Sequence, residues 1–355
     1  MMKLFIRFFL GNIICLLGIV AFQHVSYASS VDYSVQAIPS EYQQNKDVTY
    51  FDLRIKPKEN RKLFVDVKNS SNQSIRINTF VDKATTNSNG VVEYKNSSKF
   101  KSCNLKYDIS EIVIPETTNI ILAAHETRRV GYNIKMPNND FDGQIVGGIN
   151  FIQNNPRIGE NDSNNSSNMA IKNQYAYTIS VVLHGEKELN KNDVDLGPIK
   201  ANQINGRNSI QVPIHNKTAA FLNKVQVEAL VRDENNQSII YKDKKTGGQI
   251  APNSVYNFEL NTNLEKLKPG NYIAVLKLIS KKQRWKFEQK FSIKTSESEK
   301  LNKNAIIKKK NIPARYIMLG TIIIFLVIIT ISYIIYKKDK KIKELDKQLK
   351  NNRNE

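Results

Sequence analysis

The residues best suited to chemistry are one cysteine and three histidines downstream of the N-terminal segment: Cys103, His125, His184 and His215. A cysteine activated by a neighbouring histidine is the strongest candidate for nucleophilic catalysis. The flanking sequence "FKSCNLKYD" matches the active-site motif of neither wall hydrolases nor sortases, and a lone cysteine beside a strand is usually a small core residue. The sequence therefore favours a protein that is not an enzyme, with Cys103 and a histidine as the alternative.

The histidines do not form a recognisable metal motif. They are far apart in the sequence, and none belongs to an HExxH or paired-cysteine pattern. We therefore expect no metal and no cofactor. A carboxylate pair for glycoside hydrolysis is defined by its separation in space, so the sequence neither indicates nor excludes one.

The stretch "FDGQIVGGINF", residues 141–151, places Gly143, Gly147 and Gly148 in an otherwise extended apolar segment. A phosphate-binding loop would need a Lys-Ser/Thr ending and a following helix, and neither is present. Glycine within a strand instead marks a bulge or a close approach of another chain segment. The pair at 147 and 148 indicates tight sheet packing, with a flat patch for a partner as the second interpretation.

These residues must be positioned by strands, because apolar residues alternate with polar ones between residues 32 and 294. Leu63, Val65 and Val67 alternate in this way, and turn sequences rich in Asn, Ser and Gly separate the segments. In "VTYFDLRI" we expect Tyr50 and Phe51 to be one exposed and one core aromatic. Short strands with frequent turns predict an all-β chain of two tandem immunoglobulin-like sandwiches.

The predicted order of segments follows composition and spacing. We expect a first sandwich at 31–152, a polar loop at 153–170, a second sandwich at 171–295 and a juxtamembrane stalk without an apolar face at 296–315. The sequence does not decide whether the strand at 175–183 closes the first sandwich or opens the second.

Both ends of the chain carry membrane-directed signals. Residues 1–28 have basic residues, an apolar stretch and a Ser-Tyr-Ala cleavage site, as in a secretory signal peptide. Residues 316–336 form an uncharged apolar run long enough for one transmembrane helix, and a basic tail follows at 337–355. We therefore expect a single-pass membrane protein with most of its chain outside the cell and its C-terminus in the cytoplasm.

Composition constrains the partners of the exported part. The chain has 53 lysines and arginines against 33 aspartates and glutamates, a formal net charge of +20. Such a charge suits wall polymers, anionic headgroups or acidic proteins, whereas export excludes nucleic acid as a partner. Only Cys103 remains after signal cleavage, so we expect no intramolecular disulfide and a fold stabilised by its core.

Several segments, in order, resemble the WxL-interacting proteins, which are surface proteins of Gram-positive bacteria. "YSVQAIPSEYQQNKDVTYFDLRIKPKENRKLFVDVKNSS", "ATTNSNGVVEY", "MPNNDFDGQIVGGINF" and "NQYAYTISVVL" are similar to the family's peptidoglycan-binding domain. "IAPNSVYNFEL", "LKPGNYIAVLKL" and "RWKFEQKFSI" are similar to its host-binding domain. The chain departs from the family at "KPKENRK", where a Pro-Gly turn usually follows the YFDL segment.

The resemblance implies a non-catalytic, membrane-anchored adhesin or scaffold. Its partners would be peptidoglycan and WxL-domain surface proteins at the first domain and host extracellular matrix at the second. The expected binding residues come from the YFDL and FDGQIVGG segments: Tyr50, Phe51, Asp52, Asp142, Gly143, Gly147 and Gly148. Besides the wall-active enzyme, a third interpretation is an extracytoplasmic chaperone that captures a strand of an exported subunit at a sheet edge.

Overall fold

A computed structural model describes residues 32–95, 104–154 and 175–308, together with residues 318, 321–331, 333–334 and 337–338 near the C-terminus. The predicted signal peptide, Cys103, residues 155–174 and most of the predicted tail lie outside these described residues. Among the residues that the structure describes, no helix is both long enough and apolar enough to cross a bilayer, and the predicted span at 316–336 is covered only in part.

The first half of the described chain consists of short to medium strands and one helical turn. The strands are β1 (Tyr33–Ile38), β2 (Phe51–Leu53), β3 (Asn60–Asn69), β4 (Ile75–Thr86), β5 (Val92–Tyr94), β6 (Val113–Pro115), β7 (Asn119–Leu122), β8 (Thr127–Lys135), β9 (Gln144–Asn154) and β10 (Ala176–His184). Helix α1 (Ile109–Ile112) directly precedes β6, and the side chain of Asp108 caps it by accepting from the Ser110 amide.

The second half of the described chain also consists mainly of strands, and most of them are longer. They are β11 (Val194–Leu196), β12 (Lys200–Ile204), β13 (Arg207–Asn216), β14 (Leu222–Asp233), β15 (Ile239–Ile250), β16 (Ser254–Asn261), β17 (Gly270–Ser280) and β18 (Gln283–Ile293), followed by helix α2 (Thr295–Lys303). The prediction of a mostly β chain is confirmed.

The first domain is a sandwich of two sheets. One has the order β1-β3-β8-β6, and the other contains β4, β9, β10 and β2. The predicted alternation of Leu63, Val65 and Val67 is confirmed, since all three are at most 1% exposed. A buried hydrogen bond of 2.6 Å between the hydroxyls of Thr79 on β4 and Tyr132 on β8 joins the two sheets through this core.

The second domain packs the sheet β15-β14-β17-β18 against strands β11, β13 and β16, with β12 paired to β13. Its core lies between these layers and includes Val227 and Leu276 on one side and Ile214 and Phe258 on the other. Each domain therefore has its own apolar core.

The two sandwiches share one sheet, a feature that the sequence did not indicate. Strands β16 and β4 pair in parallel at Tyr256 and Thr86, which gives the continuous order β11-β13-β16-β4-β9-β10-β2. The Thr86 hydroxyl accepts from the Ala251 amide at 3.0 Å and lies 3.0 Å from the Ser254 hydroxyl. The outer strands of this sheet are short: β2 has three residues, and on the other side β11 with three residues and β12 with five share the outer edge of β13.

The strand that the sequence left unassigned belongs to the first domain. Residues 176–184 of β10 pair antiparallel with β9 along their whole length and parallel with β2. The chain therefore crosses the polar segment at 155–174 before it completes the first sandwich.

The start of the predicted stalk differs from the sequence prediction. Helix α2 lies against the second domain, where Leu301 packs on the core and Asn302 exchanges hydrogen bonds of 2.9 Å with the backbone of Leu267. The Asn302 side chain also accepts from Asn208 Nδ2 at 2.9 Å. Leu301 and Asn302 dock this helix together with Gln203, which donates to the Leu301 carbonyl at 2.9 Å, although the helix sequence has no continuous apolar face.

Candidate binding face of the first domain

The two segments expected to bind a partner lie close together, with β10 between them. Val181 of β10 pairs with Phe51 on one side and with Gly147 on the other. Phe51 is 1% exposed and belongs to the core, whereas Tyr50 is 37% exposed, so one aromatic is core and one is exposed as predicted. The Asp52 carboxylate lies 2.5 Å from His184 Nε2, and this pair ties β2 to β10.

Gly147 and Gly148 face opposite sides of the sheet. A Cβ at Gly147 would collide with Ile109 Cγ2 and with the backbone oxygen of Asp82, whereas a Cβ at Gly148 would lie 2.6 Å from Tyr94 Cγ and 2.6 Å from Thr178 Cγ2. The pairing of β9 with β4 and β10 has no break in register, so there is no bulge here. The interpretation as tight packing is confirmed.

The outer face of this sheet presents rows of polar and aromatic side chains. Phe80, Asn150 and Thr178 are directly opposite one another on β4, β9 and β10, and therefore point to the same side. The Thr178 hydroxyl donates to Asn150 Oδ1 at 2.6 Å, and the Asn150 amide donates to Asp82 Oδ2 at 3.1 Å. Phe80 is 37% exposed beside these groups.

Tyr94 lies across this face over Gly148. The Ser180 hydroxyl donates to Tyr94 Oη at 2.7 Å, which fixes the ring. Burial raises the pKa of Tyr94, and the Ser180 hydrogen bond opposes this effect only in part. The ring can lie flat against the backbone because position 148 has no side chain, and its phenol stays neutral at physiological pH.

We call Tyr50, Phe80, Tyr94, Asn150, Thr178 and Ser180 the outer face. Aromatic rings with a polar edge combine apolar contact with hydrogen bonding. A sugar ring has the matching chemistry, because its C–H surfaces are apolar and its hydroxyls are donors and acceptors. Of these residues the sequence singled out only Tyr50; the others alternate with core residues, and no motif distinguishes them from ordinary solvent-facing positions.

Asp142 and Gly143 lie elsewhere: Asp142 lines a cleft of about 550 Å³ at the junction of the two domains, and Gly143 follows it in the chain. Gly143 adopts a φ of +81° and donates to the Lys187 carbonyl at 2.8 Å. A Cβ there would collide with the carbonyl of Ala219 in the second domain. Lys217 also lines the cleft, and hydrogen bonds to Asp193 and Asp195 raise its pKa. These predicted site residues therefore shape the junction and do not join the outer face.

The histidines each have a partner of their own. His215 Nδ1 lies 2.9 Å from Asp195 Oδ1, and His125 Nε2 lies 2.8 Å from Asn72 Oδ1. Within the described residues, no serine, threonine or cysteine is hydrogen-bonded to a histidine, and no group of three potential metal ligands occurs. Cys103 is outside the described residues, so its pairing with a histidine remains a sequence hypothesis.

Solved structures with a distant likeness include bacterial fimbrial chaperones. A chaperone–tip adhesin complex of CFA/I fimbriae biogenesis is 12% identical at a TM-score of 0.31, over 73% of this chain and 98% of that chain. The class 5 fimbriae chaperone CfaA is 12% identical at 0.27, over 72% and 99%. The E. coli chaperone DraB is 11% identical at 0.26, over 68% and 93%. No curated protein matches the sequence.

Two sequence families match the chain in the expected order. The peptidoglycan binding domain of WxL Interacting Protein matches residues 33–153, and its host binding domain matches residues 166–303. The second match begins before β10, which the structure places in the first sandwich. Together the two matches span most of the described residues, and the chain belongs to the WxL-interacting protein family, with a peptidoglycan-binding domain followed by a host-binding domain.

Proposed function

We propose that this protein is a non-catalytic, membrane-anchored surface protein that holds peptidoglycan and WxL-domain proteins with its first domain and contacts host matrix with its second. The family supports the peptidoglycan and host contacts in general terms. The further proposals are that the outer face carries the glycan contact and that the segment at 316–336 anchors the chain in the cell membrane.

The proposed contact with a glycan is supported mainly by the side chains of the outer face. Phe80 and Tyr50, each 37% exposed, offer apolar surface, and Thr178 and Ser180 offer hydroxyls on the neighbouring strand. The hydrogen bonds of Thr178 to Asn150 and of Ser180 to Tyr94 hold these groups before any ligand arrives. A site of this kind binds with little loss of conformational freedom.

The end of the second domain supports the anchoring proposal. The chain leaves this domain beside Gly206, whose carbonyl accepts from the Ile306 amide at 2.7 Å, and then beside Leu264, whose carbonyl accepts from the Lys308 amide at 2.9 Å. Gly206 lies in the β12–β13 turn, at the opposite end of β13 from the domain junction. The uncharged run at 316–336 begins a few residues later.

The glycan contact is tested by sedimentation with purified peptidoglycan sacculi, using the full-length chain in a nonionic detergent. We expect Phe80→Ala to weaken retention by about tenfold or more, because a central aromatic contact typically contributes about 1.4 kcal/mol or more. Phe64→Ala is the matched control: Phe64 is 36% exposed, but it lies on the other sheet of the same domain. Equal loss in both variants, or no retention of the unmodified chain, would refute the proposal.

The partner and enzyme questions need separate measurements. Retention of a purified WxL-domain protein by the immobilised full-length chain tests the proposed partner, and absence of retention at micromolar concentration would count against it. Incubation with sacculi tests the non-catalytic proposal, since release of soluble fragments that disappears with Cys103→Ala would establish the enzyme instead.

A further inference from the structure

The outward side of the sheet β15-β14-β17-β18 in the second domain is strongly basic. Val227, Ala229 and Val231 of β14 are buried in the core, so the residues between them face away from it. Cross-strand pairing extends this side over all four strands. It carries seven cationic side chains and two carboxylates, which we call the basic face: Arg232, Lys242, Lys244, Lys277, Arg284, Lys286 and Lys290, with Glu228 and Glu288. Three of these cations are in ion pairs, Lys244 with Glu228, Arg232 with Glu288 and Lys290 with Glu234, and the other four have none among the described residues.

One row across the basic face places like charges together. Lys244, Glu228, Lys277 and Lys286 follow one another on the four adjacent strands, and Lys277 is directly opposite Lys286. Like charges at such a position destabilise a sheet. Glu228 bonds to Lys244 at 2.7 Å and also attracts Lys277, which lies opposite it, but the described residues provide no ion pair for Lys277 or Lys286. An external anion would remove this repulsion.

The centre of the basic face is apolar and closely covered. Ile273 and Val275 point outward, but they are only 7% and 8% exposed. Long side chains of the surrounding lysines and arginines cover such residues with their aliphatic parts and hold the charges in solvent. The basic face therefore carries its cations around an apolar centre.

We propose that the basic face binds a linear sulfated polysaccharide of the host. Neighbouring strands are about 4.8 Å apart and alternate residues along a strand about 6.8 Å apart, so the cations form a two-dimensional array. Arg284 and Lys286 are alternate residues of β18, and Lys277 adds a third cation on the next strand; none of the three has an ion pair among the described residues. A polymer with several sulfates and carboxylates in each repeat matches this density better than a phosphodiester wall polymer with one charge per repeat.

The orientation of the basic face also favours a polymer over a lipid surface. Strand β14 begins near the domain junction, and the chain leaves the domain at the opposite end, beside Gly206. The basic face therefore runs along the side of the domain. This inference rests on the proposed host contact of the second domain, and it names the chemical class of the partner.

The test uses the full-length chain in a nonionic detergent and immobilised heparin as the probe. The affinity should fall linearly with the logarithm of salt concentration, as for other polyelectrolyte contacts. The double substitution Lys277→Gln/Lys286→Gln should weaken binding at least tenfold and lower the salt slope by roughly two, since each cation contributes about one. Its thermal stability should stay equal or rise, because a repulsive pair is removed.

Two further variants control for net charge and for charge type. Lys200→Gln/Lys266→Gln removes the same charge from exposed positions of the second domain outside this sheet and should change heparin binding less than twofold. Lys277→Arg/Lys286→Arg keeps the charges and should keep binding. Equal loss in the two glutamine variants, or no binding of the unmodified chain, would overturn the proposal.

Competing polyanions complete the experiment. Tighter binding to poly(glycerol phosphate) or to phosphatidylglycerol vesicles than to heparin would overturn the assignment to a sulfated polysaccharide. Sedimentation with peptidoglycan sacculi on the same preparation reports separately on the first domain. An unmodified chain that sediments with sacculi but does not bind heparin would therefore contradict this inference, and one that binds heparin but does not sediment with sacculi would contradict the proposed glycan contact of the outer face.

Discussion

The adjacent glycines Gly147 and Gly148 offer a direct way to separate packing from binding. In Gly147→Ala the new Cβ points into the core and meets Ile109 and the backbone oxygen of Asp82. That oxygen belongs to β4, which is paired with β9, so it cannot retreat without disturbing the sheet. Gly148→Ala instead places its Cβ against Tyr94 Cγ and Thr178 Cγ2, which are side-chain atoms on the outer face and not backbone atoms of a paired strand.

The expected magnitudes follow from these contacts. Overpacking a core costs about 1–3 kcal/mol, and the reduced freedom of the unfolded chain returns about 0.4–1 kcal/mol. We therefore expect Gly147→Ala to lower the melting temperature by roughly 2–8 °C, at about 2–4 °C per kcal/mol for a domain of this size. Gly148→Ala meets side-chain atoms only and should cost less, near the lower end of about 1–3 kcal/mol, but it displaces the Tyr94 ring and should weaken sacculus binding about tenfold.

The assay combines thermal unfolding with sacculus sedimentation at a temperature at which both full-length variants are folded. Gly147→Ala should bind sacculi within about twofold of the unmodified chain despite its lower stability. Adding Thr178→Ser to Gly148→Ala removes the Cγ2 methyl that the new Cβ meets and should restore part of the stability. The reasoning fails if Gly147→Ala is as stable as the unmodified chain, or if the two alanine variants lose binding equally.

Three further predictions concern stability. Tyr132→Phe leaves the buried hydroxyl of Thr79 without its partner and should cost about 1–3 kcal/mol in urea unfolding, while Thr79→Val in the same chain should recover most of the loss. Thr86→Val removes buried hydrogen bonds at the junction, including that to Ser254, and should split the calorimetric transition into two. Burial raises the pKa of Tyr33 to about 12, so its neutral form stabilises the fold fully below the unfolded pKa of about 10. This contribution, on the order of 2 kcal/mol, is lost as the pH rises from about 10 through about 12, and unfolding of the chain with Tyr33→Phe should be less sensitive to pH in that range.

Each of these predictions has a result that contradicts it. Additive losses for the substitutions at Tyr132 and Thr79 would show that their hydroxyls do not interact. A single unchanged transition for Thr86→Val would show that the junction contributes little to cooperativity. Unfolding and tyrosine ionisation can be monitored together by the absorbance of ionised tyrosine. If unfolding depends equally on pH between about 10 and 12 in the unmodified chain and with Tyr33→Phe, the Tyr33 phenol does not ionise on unfolding.

The sequence predicted the features that depend on local periodicity. Alternation in β3 identified Leu63 and its neighbours as core residues, and the order of segments identified the family. Local periodicity does not predict pairing between distant segments. Thr86 pairs with Tyr256 across the domain junction, and the sequence around neither residue indicates this pairing. The side on which a glycine faces depends on register, so the opposite roles of Gly147 and Gly148 required the pairing of β9.

The outer face illustrates the same limit. Tyr94, Asn150 and Thr178 come from three strands that are separated by long stretches of sequence, and each looks like an ordinary polar position in an alternating strand. Their common feature is the side of the sheet to which they point. His184 could be singled out from the sequence, but its partner Asp52 could not, because 132 residues separate the two in the chain and only the parallel pairing of β2 with β10 brings them together.

The continuous sheet ends on one side in β2, a strand of three residues, and on the other in two short strands placed end to end, β11 with three residues and β12 with five. Long unpaired edges allow sheets of separate molecules to join side by side and polymerise, and very short outer strands expose few free amides and carbonyls for such growth. Copies crowded on one surface would therefore not fuse along this sheet into fibrils. The same brevity leaves little backbone at these two margins on which a foreign strand could be captured.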